Sequence, residues 1–158
     1  MFRVVIADDE EIIRNGLKKL IESYDLNLSV VGTAQDGEEA LHLIHMYQPE
    51  IILMDINMPF INGLEVIEKI KELDPNSKII IISGYDQFEY AQKALELGVF
   101  SYLLKPIQYR DFKNIIIKAM DSYCERMWEL NKLKETEIDN TNYKCIGSQA
   151  INYIKENF

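Results

Sequence analysis

Long hydrophobic runs are absent from this chain of 158 residues. A membrane-spanning helix needs about 20 consecutive apolar residues, and no stretch of the sequence approaches that length. The first residues, MFRVVIADDE, turn acidic at Asp8, whereas a secretory signal has a longer apolar segment and a small-residue cleavage site. We therefore expect a cytoplasmic location and no membrane partner.

Cysteine is scarce as well, since the chain has only Cys124 and Cys145. The two lack CxxC spacing, which is more typical of incidental thiols than of a disulfide or a zinc site. We expect both cysteines to be reduced.

Basic residues are few relative to acidic ones. The chain has 17 lysines and arginines against 26 aspartates and glutamates, which gives a formal net charge of −9. Contacts to nucleic-acid phosphates need lysine and arginine. The acidic chain is therefore expected to bind nucleic acid poorly by itself.

Five short runs rich in valine and isoleucine are present, and most are continuous rather than alternating. They are FRVVIA (2–7), LSVVGTA (28–34), EIILM (50–54), KIIIIS (78–83) and FSYLLK (100–105). Continuous apolar runs are typical of strands that are covered on both faces, as in a parallel sheet.

Each run is followed by a segment with helical spacing of apolar residues, so the pattern is βα repeated five times. The predicted buried faces are Ile12, Ile13, Leu17, Leu20, Ile21 and Tyr24; Ala40, Leu41, Ile44 and Tyr47; Leu64, Ile67, Ile70 and Leu73; and Phe88, Ala91, Leu95 and Leu97. Asp36 and Glu39 predict a capping box, and a long fifth helix is expected from about Tyr109. The sequence thus predicts an α/β, doubly wound, five-stranded parallel sheet.

Polar residues stand at the ends of four of the predicted strands. Asp8 and Asp9 follow the first strand, Asp55 follows the third, Ser83 ends the fourth and Lys105 ends the fifth. The carboxyl ends of parallel strands meet at one edge of the sheet, so these side chains should lie close together. Alone, each is more typical of a helix cap or a solvated strand end, but their joint occurrence favours a site.

Clustered carboxylates repel one another unless a cation neutralises them, and oxygen ligands suit a hard divalent ion such as Mg²⁺. Beside such a cation Asp55 could act as a nucleophile and form an aspartyl-phosphate. Lys105 would pair with phosphoryl oxygens, Ser83 would hydrogen-bond another oxygen, and the main-chain carbonyl of Asn57 would be an additional metal ligand.

These motifs resemble the receiver domain of two-component response regulators, over about residues 1–120. The resemblance implies a flavodoxin-like (CheY-like) fold with strand order 2-1-3-4-5 and an extended fifth helix. It also implies a role for each site residue. Asp55 would be the phospho-acceptor, and Mg²⁺ would be held by Asp9, Asp55 and the Asn57 carbonyl, with Asp8 acting through water. Ser83 and Tyr102 would be the switch residues, and Lys105 would be the conserved lysine of the family. A half-buried strand aromatic without a switching role remains the alternative for Tyr102.

The segment DINMPFINGLE resembles the loop after the acceptor strand, where Pro59 and Gly63 shape the turn. It departs from the family pattern at Phe60 and Ile61, while Asn62 keeps the usual residue before Gly63. The resemblance implies that a sensor histidine kinase phosphorylates Asp55 with Mg²⁺ as cofactor, and that the chain is not an enzyme acting on a separate substrate.

Within this family, SGYDQFEYAQKAL (83–95) and GVFSYLLKP (98–106) most resemble YesN-type regulators, which carry an AraC-type DNA-binding domain. The last residues, QAINYIKENF (149–158), resemble the first helix of such a domain. We expect a receiver domain at 1–120, an extended helix and polar linker at 121–147, and the start of a truncated DNA-binding domain at 148–158. DNA would be contacted only through the missing part, and phosphorylation would switch that output.

The predicted fifth helix carries apolar residues whose later spacing resembles a heptad seam: Phe112, Ile116, Met120, Tyr123, Met127 and Leu130. One interpretation is that about 120–134 forms a homodimer or packs on the missing domain. The other is a solvated linker helix, and the sequence does not choose between them.

Two other functions are compatible with the fold. A flavin mononucleotide module would need a phosphate cradle after the first strand, where ADDEE offers carboxylates instead of glycines and hydroxyls. An aspartyl phosphatase commonly has a second acid two residues after its nucleophile, and this chain has Asn57 there.

Overall fold

The computed structural model describes residues 1–84 and 88–134. Strands and helices alternate along them as follows: β1 Phe2–Ala7, α1 Glu11–Ser23, β2 Leu28–Ala34, α2 Gly37–Tyr47, β3 Ile51–Met54, α3 Gly63–Leu73, β4 Lys78–Ser83, α4 Phe88–Glu96, β5 Ser101–Leu104 and α5 Tyr109–Lys134. The five predicted strands are all present, and their ends agree with the sequence pattern to within one residue.

The five strands form one parallel sheet in the order β2-β1-β3-β4-β5. The predicted fold class and strand order are therefore confirmed. The chain order reverses between β1 and β3, which pair in register with Ala7 opposite Met54. In an open parallel sheet the crevice outside the carboxyl ends of two such strands is the usual ligand site, and these two strands end next to Asp8 and Asp55.

Two apolar clusters cover the two faces of the sheet. Alternate β4 residues go to opposite sides: Ile79 and Ile81 pack in the cluster with α2, α3 and α4, whereas Ile80 and Ile82 pack in the cluster with α1 and α5. This alternation is the period of two expected for a strand. Strands β1, β3 and β4 are buried on both faces, but the edge strands β2 and β5 are mostly half-buried.

Helices α2 and α3 each have a side-chain N-cap. The Asp36 carboxylate accepts a hydrogen bond from the Glu39 amide at 2.8 Å, which confirms the predicted cap of α2. The Glu39 carboxylate accepts from the Gln35 amide at 2.9 Å instead of from Asp36, so the return bond of the box is displaced by one residue. Asn62 caps α3 in the same way, accepting from the Glu65 amide at 3.0 Å.

Several apolar residues assigned to buried helix faces are exposed in the structure. For α4 the prediction is wrong for Phe88 and Leu95, since Ala94 is buried and Tyr90 packs beside it, whereas the predicted Leu97 does pack against the core. The helix is short and rich in apolar residues, so more than one face fits its sequence. The exposed residues, with their exposed fractions, are Ile12 (84%), Tyr47 (36%), Leu73 (61%), Phe88 (78%) and Leu95 (72%).

Helix α5 has 26 residues, about 39 Å at 1.5 Å per residue. Its first half packs on the sheet through Phe112, Ile116 and Met120. Cys124 is only 7% exposed, in the half of α5 beyond Met120, and because Cys145 lies outside the described residues the expectation that both cysteines are reduced stays a prediction. The predicted linker after α5 and the predicted start of a DNA-binding domain also lie outside the described residues. Within residues 1–84 and 88–134, no helix has the length and apolar character needed to cross a membrane.

Candidate functional site

Three carboxylates converge where β1 and β3 end. Asp8 and Asp9 lie between β1 and α1, and Asp55 directly follows β3. The Asp55 amide donates a hydrogen bond to the Ala7 carbonyl at 2.8 Å, which continues the β1–β3 pairing and brings the acidic residues to one edge. One carboxylate oxygen from each of Asp8, Asp9 and Asp55 lies within 4.8 Å of the others. The expected clustering of these three residues is therefore present.

Lys105 completes the cluster from the end of β5. Its Nζ lies 2.7 Å from Oδ2 of Asp8, 3.4 Å from Oδ2 of Asp55 and 3.7 Å from Oε1 of Glu10. Its main-chain amide donates to the Ser83 carbonyl at 2.8 Å, which ties the end of β5 to the end of β4. Desolvation alone would lower the pKa of Lys105, but its hydrogen bond to Asp8 and the charges of Asp55 and Asp8 raise the pKa above its ordinary value.

Asp55 is an unusual aspartate because it is only 5% exposed. Desolvation, followed by the charge of Asp8, raises its pKa from 3.8 to about 6, although Lys105 acts in the opposite direction. Desolvation and the charge of Asp8 also raise the pKa of Asp9. Lys105 therefore does not fully offset the desolvation and the repulsion that act on Asp55 and Asp9.

The composition of this cluster fits a hard divalent cation. Carboxylate and carbonyl oxygens are the ligands that Mg²⁺ takes in proteins, and no softer histidine or cysteine ligand stands among the three grouped acids. Such an ion binds where carboxylates leave an excess of negative charge at a partly buried position. The residues present thus fit Mg²⁺.

A cavity of about 190 Å³ opens above the cluster and is large enough for a small anion and its waters. Asn57 is part of its wall, and the Asn57 amide donates to Oδ1 of Asp55 at 3.4 Å. The lining residues are Asp9, Glu10, Asp55, Asn57, Gly84 and Lys105. Sequence reasoning did not assign a role to Glu10 or Gly84, although each is adjacent to a residue that it did select.

The two predicted switch residues lie farther from the cavity. Ser83 ends β4 and is fully buried, and it is the next residue, Gly84, that lines the cavity. Tyr102 lies in β5, half-buried, against the cluster that α4 helps to form. Residues 85–87, which follow Gly84, lie outside the described residues, so the switching roles of Ser83 and Tyr102 stay predictions.

The loop from β3 to α3 holds the backbone of Asp55 closely. The Gly63 amide donates to the Ile56 carbonyl at 2.8 Å. A Cβ atom on Gly63 would overlap the main-chain carbonyl oxygen of Asp55, so only glycine fits there. Phe60, where the sequence departs from the expected loop pattern, has φ of 68° and an 82% exposed side chain.

Comparisons with known proteins agree with this geometry. Residues 4–117 match the family described as the response regulator receiver domain. The transcriptional regulatory protein HptR of Staphylococcus aureus is 43% identical over 126 residues, which are 80% of this chain and 49% of HptR. The chain spans about half the length of the curated relatives it matches.

Two solved structures show the same fold. The REC domain of AraT, a response regulator from Geobacillus stearothermophilus, superimposes with a TM-score of 0.70 at 36% identity, covering 85% of this chain and 98% of that one. A chain of the CheX–CheY–BeF₃–Mg²⁺ complex from Borrelia burgdorferi superimposes with a TM-score of 0.70 at 26% identity, covering 74% of this chain and 87% of that one.

Proposed function

Because this chain belongs to the receiver domain family of two-component response regulators, we propose that Asp55 accepts a phosphoryl group from a sensor histidine kinase. The observation that carries the proposal is the buried Asp55 carboxylate beside Asp8, Asp9 and the Lys105 ammonium, at the floor of an open cavity. The similar CheX–CheY complex contains BeF₃ together with Mg²⁺, and this supports the proposal that a protein of this fold takes up an anion in the presence of Mg²⁺.

In the proposed transfer, a carboxylate oxygen of Asp55 attacks the phosphorus of a phosphohistidine. The new P–O bond forms as the P–N bond breaks, and the electron pair returns to the imidazole nitrogen. Asp55 must be ionised to attack, and a pKa of about 6 leaves most molecules ionised above pH 7. Such transfers depend mainly on positioning and on neutralising charge, and Lys105 is close enough to pair with the incoming oxygens.

Asp9, Asp55 and the Asn57 main-chain carbonyl are proposed to hold Mg²⁺, with Asp8 acting through water. The bound ion would neutralise part of the negative charge that otherwise repels a phosphoryl group. Asp8 is suited to an indirect role because it is 1% exposed and its Oδ2 is already paired with Lys105 at 2.7 Å.

Ser83 and Tyr102 are proposed to convert phosphorylation into a change of surface. The phosphoryl group adds negative charge and acceptor oxygens, and the Ser83 hydroxyl would turn toward it. Since Ser83 is fully buried, that movement requires the Ser83–Gly84 segment to shift toward the cavity. Tyr102 would then rotate into the space that opens, as a population shift between two conformations.

The proposal for the whole protein is a cytoplasmic transcriptional regulator. The chain spans about half the length of HptR, whose name describes it as a transcriptional regulatory protein. We propose a receiver domain at 1–120, a connecting segment at 121–147 and the beginning of an AraC-type DNA-binding domain at 148–158. DNA would be bound by that domain, and the receiver would not turn over a separate substrate. The flavin alternative is supported only by the shared fold.

Homodimer formation through α5 remains part of the proposal but over a shorter segment than the sequence suggested. Met120 is 1% exposed and Tyr123 contacts the Phe2 ring edge-on at 5.9 Å, so both already pack in the chain's own core. The seam that remains is Met127 and Leu130, less than one heptad repeat. Pairing through it would need help from another part of the protein.

The test is incubation with Mg²⁺ and a small-molecule phosphodonor, followed by intact mass measurement. The wild type should gain one phosphate, and the Asp55→Asn variant and the wild type in EDTA should gain none. Asp25→Asn, which removes an exposed aspartate elsewhere, is the matched control and should be labelled normally. An unlabelled wild type, or an Asp55→Asn variant labelled as well as the wild type, would refute the proposal.

A further inference from the structure

Arg14, in the first turn of α1, reaches back to the acidic turn that precedes the helix. Its Nη1 donates a hydrogen bond to the main-chain carbonyl oxygen of Asp8 at 2.8 Å, and the side chain is half-buried. Asp8 is six residues earlier in the chain, so this is not a contact within regular helix geometry. It joins the body of α1 to the turn that carries Asp8 and Asp9.

This carbonyl lies just beyond the end of the sheet. The last ladder bonds at this end of β1 run from the Asp55 amide to the Ala7 carbonyl at 2.8 Å and from the Asp8 amide to the Ala34 carbonyl at 3.0 Å. The Asp8 carbonyl comes next in the chain, where the backbone turns out of the sheet. The Arg14 guanidinium supplies the hydrogen-bond donor that the amide of a neighbouring strand would supply inside the sheet.

Asp8 is consequently held at each of its polar groups. Its amide is bound by Ala34, its carbonyl by Arg14, and its carboxylate by the Glu10 amide at 2.9 Å and by Lys105 at 2.7 Å. The peptide that follows the Asp8 carbonyl leads directly to Asp9. Fixing that peptide fixes the direction in which the Asp9 side chain leaves the backbone.

We infer that Arg14 is a positioning residue for the divalent-cation site: its guanidinium holds the Asp8–Asp9 turn so that the carboxylates of both residues face Asp55. The inference deepens the proposed function and rests on its Mg²⁺ site. Groups that orient ligands from outside the coordination shell commonly change metal affinity by 10- to 100-fold when they are removed.

The charge of Arg14 and its hydrogen bond predict opposite effects on cation binding. A positive charge near three carboxylates opposes a divalent cation, so its removal alone should make Mg²⁺ bind more tightly. Loss of the hydrogen bond to Asp8 should loosen the turn and make Mg²⁺ bind more weakly. The sign of the change therefore separates positioning from simple electrostatics.

The experiment is calorimetric titration of the metal-free chain with magnesium chloride at constant ionic strength. Arg14→Met keeps much of the length and apolar stem of the side chain but removes the donor and the charge, and we expect about tenfold weaker binding. Arg14→Lys keeps the charge but not the planar guanidinium fork that reaches the Asp8 carbonyl, so it isolates the loss of the hydrogen bond and should also bind Mg²⁺ more weakly than the wild type. Lys18→Met, one turn further along α1 at an exposed position, removes the same charge and should bind Mg²⁺ no more weakly than the wild type.

Urea denaturation of each variant will establish that it is folded under the titration conditions. Equal or tighter binding by folded Arg14→Met overturns the inference, and if that variant does not fold, wild-type affinity in Arg14→Lys overturns it. Failure of the wild type itself to bind Mg²⁺ contradicts the metal site of the proposed function instead. The two failures are therefore distinguishable within one set of titrations.

Discussion

Replacement of Asp55 by asparagine should stabilise the metal-free protein at neutral pH. The carboxyl group is 5% exposed, and its pKa is raised to about 6, chiefly by desolvation and secondly by Asp8. Between about pH 4 and pH 6 the folded chain keeps a proton that the unfolded chain has already released. The contribution of the Asp55 carboxyl group to the unfolding free energy therefore falls as the pH rises through that window and stays low above it. Asparagine does not ionise, so the unfolding free energy of the Asp55→Asn variant does not decrease for this reason.

The magnitude follows from the difference between the two pKa values. A pKa of about 6 against an ordinary 3.8 corresponds to about 3 kcal/mol at 1.36 kcal/mol per pH unit. Local relaxation and water entry reduce such penalties, so we expect Asp55→Asn to gain about 1 to 3 kcal/mol at pH 8. At pH 4 the wild-type carboxyl is largely protonated when folded, and the gain should be close to zero.

The assay is urea denaturation followed by far-UV circular dichroism, in EDTA, for both proteins at several values between about pH 4 and pH 8. The measured quantity is the difference in unfolding free energy between Asp55→Asn and the wild type at each pH. That difference should rise through the window set by the two pKa values and then level off. Magnesium should reduce the difference at pH 8 by stabilising the wild type.

A double-mutant cycle with Asp8→Asn tests the assigned cause. Asp8 contributes the second-largest upward effect on the pKa of Asp55, so the gain from Asp55→Asn at pH 8 should shrink when Asp8 is already neutral. A gain that does not vary with pH, or an Asp55→Asn variant that is less stable than the wild type at pH 8, would contradict the reasoning.

Two further predictions concern the loop that holds Asp55. Gly63→Ala should lower the unfolding free energy by at least about 2 kcal/mol, because the added Cβ would overlap the Asp55 carbonyl. Its control is Gly16→Ala in α1, where the added Cβ meets no atom within 4 Å and the unfolding free energy should rise by about 0.5 to 1 kcal/mol. Phe60→Gly should be neutral or stabilising by up to about 1 kcal/mol, because φ of 68° disfavours a bulky residue, while the same change at the exposed helical Phe88 should be destabilising.

Both predictions are checked by urea denaturation of the paired variants under identical conditions. Equal stability of Gly63→Ala and Gly16→Ala would mean that the loop can move away from the added methyl group. A loss of more than about 1 kcal/mol in Phe60→Gly would show that the ring contributes packing that outweighs the backbone strain.

The sequence predicted the strands and the position of the acidic cluster because both depend on local and repetitive signals. A run such as KIIIIS can be buried on both faces only in the middle of a sheet, and β4 lies between β3 and β5. Once the strands are parallel, Asp8, Asp55 and Lys105 lie at the same edge of the sheet whatever the helix details. That shared edge followed from the repeated strand–helix pattern, whereas the close approach of Lys105 also depends on the strand order and on the reach of its side chain across β4.

The helix faces were harder to predict because apolar residues alone do not define one direction around a short helix. In α4 the apolar residues Phe88 and Leu95 share a face, but the structure buries the face of Ala94 and Tyr90 instead. Long-range contacts decide that choice, and no spacing rule contains them. The contact of Arg14 with the Asp8 carbonyl is similar, since nothing in the spacing of ADDEEIIR marks an arginine that folds back onto its own loop.

The burial of Asp55 connects the stability of the fold to the proposed signalling role. Asp55 lies at the end of a fully buried strand, where its ionised form is disfavoured when no cation is bound. Anything that binds the folded site and offsets that charge, whether Mg²⁺ or the Lys105 ammonium, stabilises the same conformation that presents Asp55 for reaction. The proposed phosphorylation of Asp55 would place new negative charge beside Asp8 and Asp9 and would compete for Lys105, whose Nζ lies 2.7 Å from Asp8. A redistribution of Lys105 from Asp8 to the phosphoryl group would therefore alter the attachment of β5 to β1 and β3, which gives the proposed switch a physical origin.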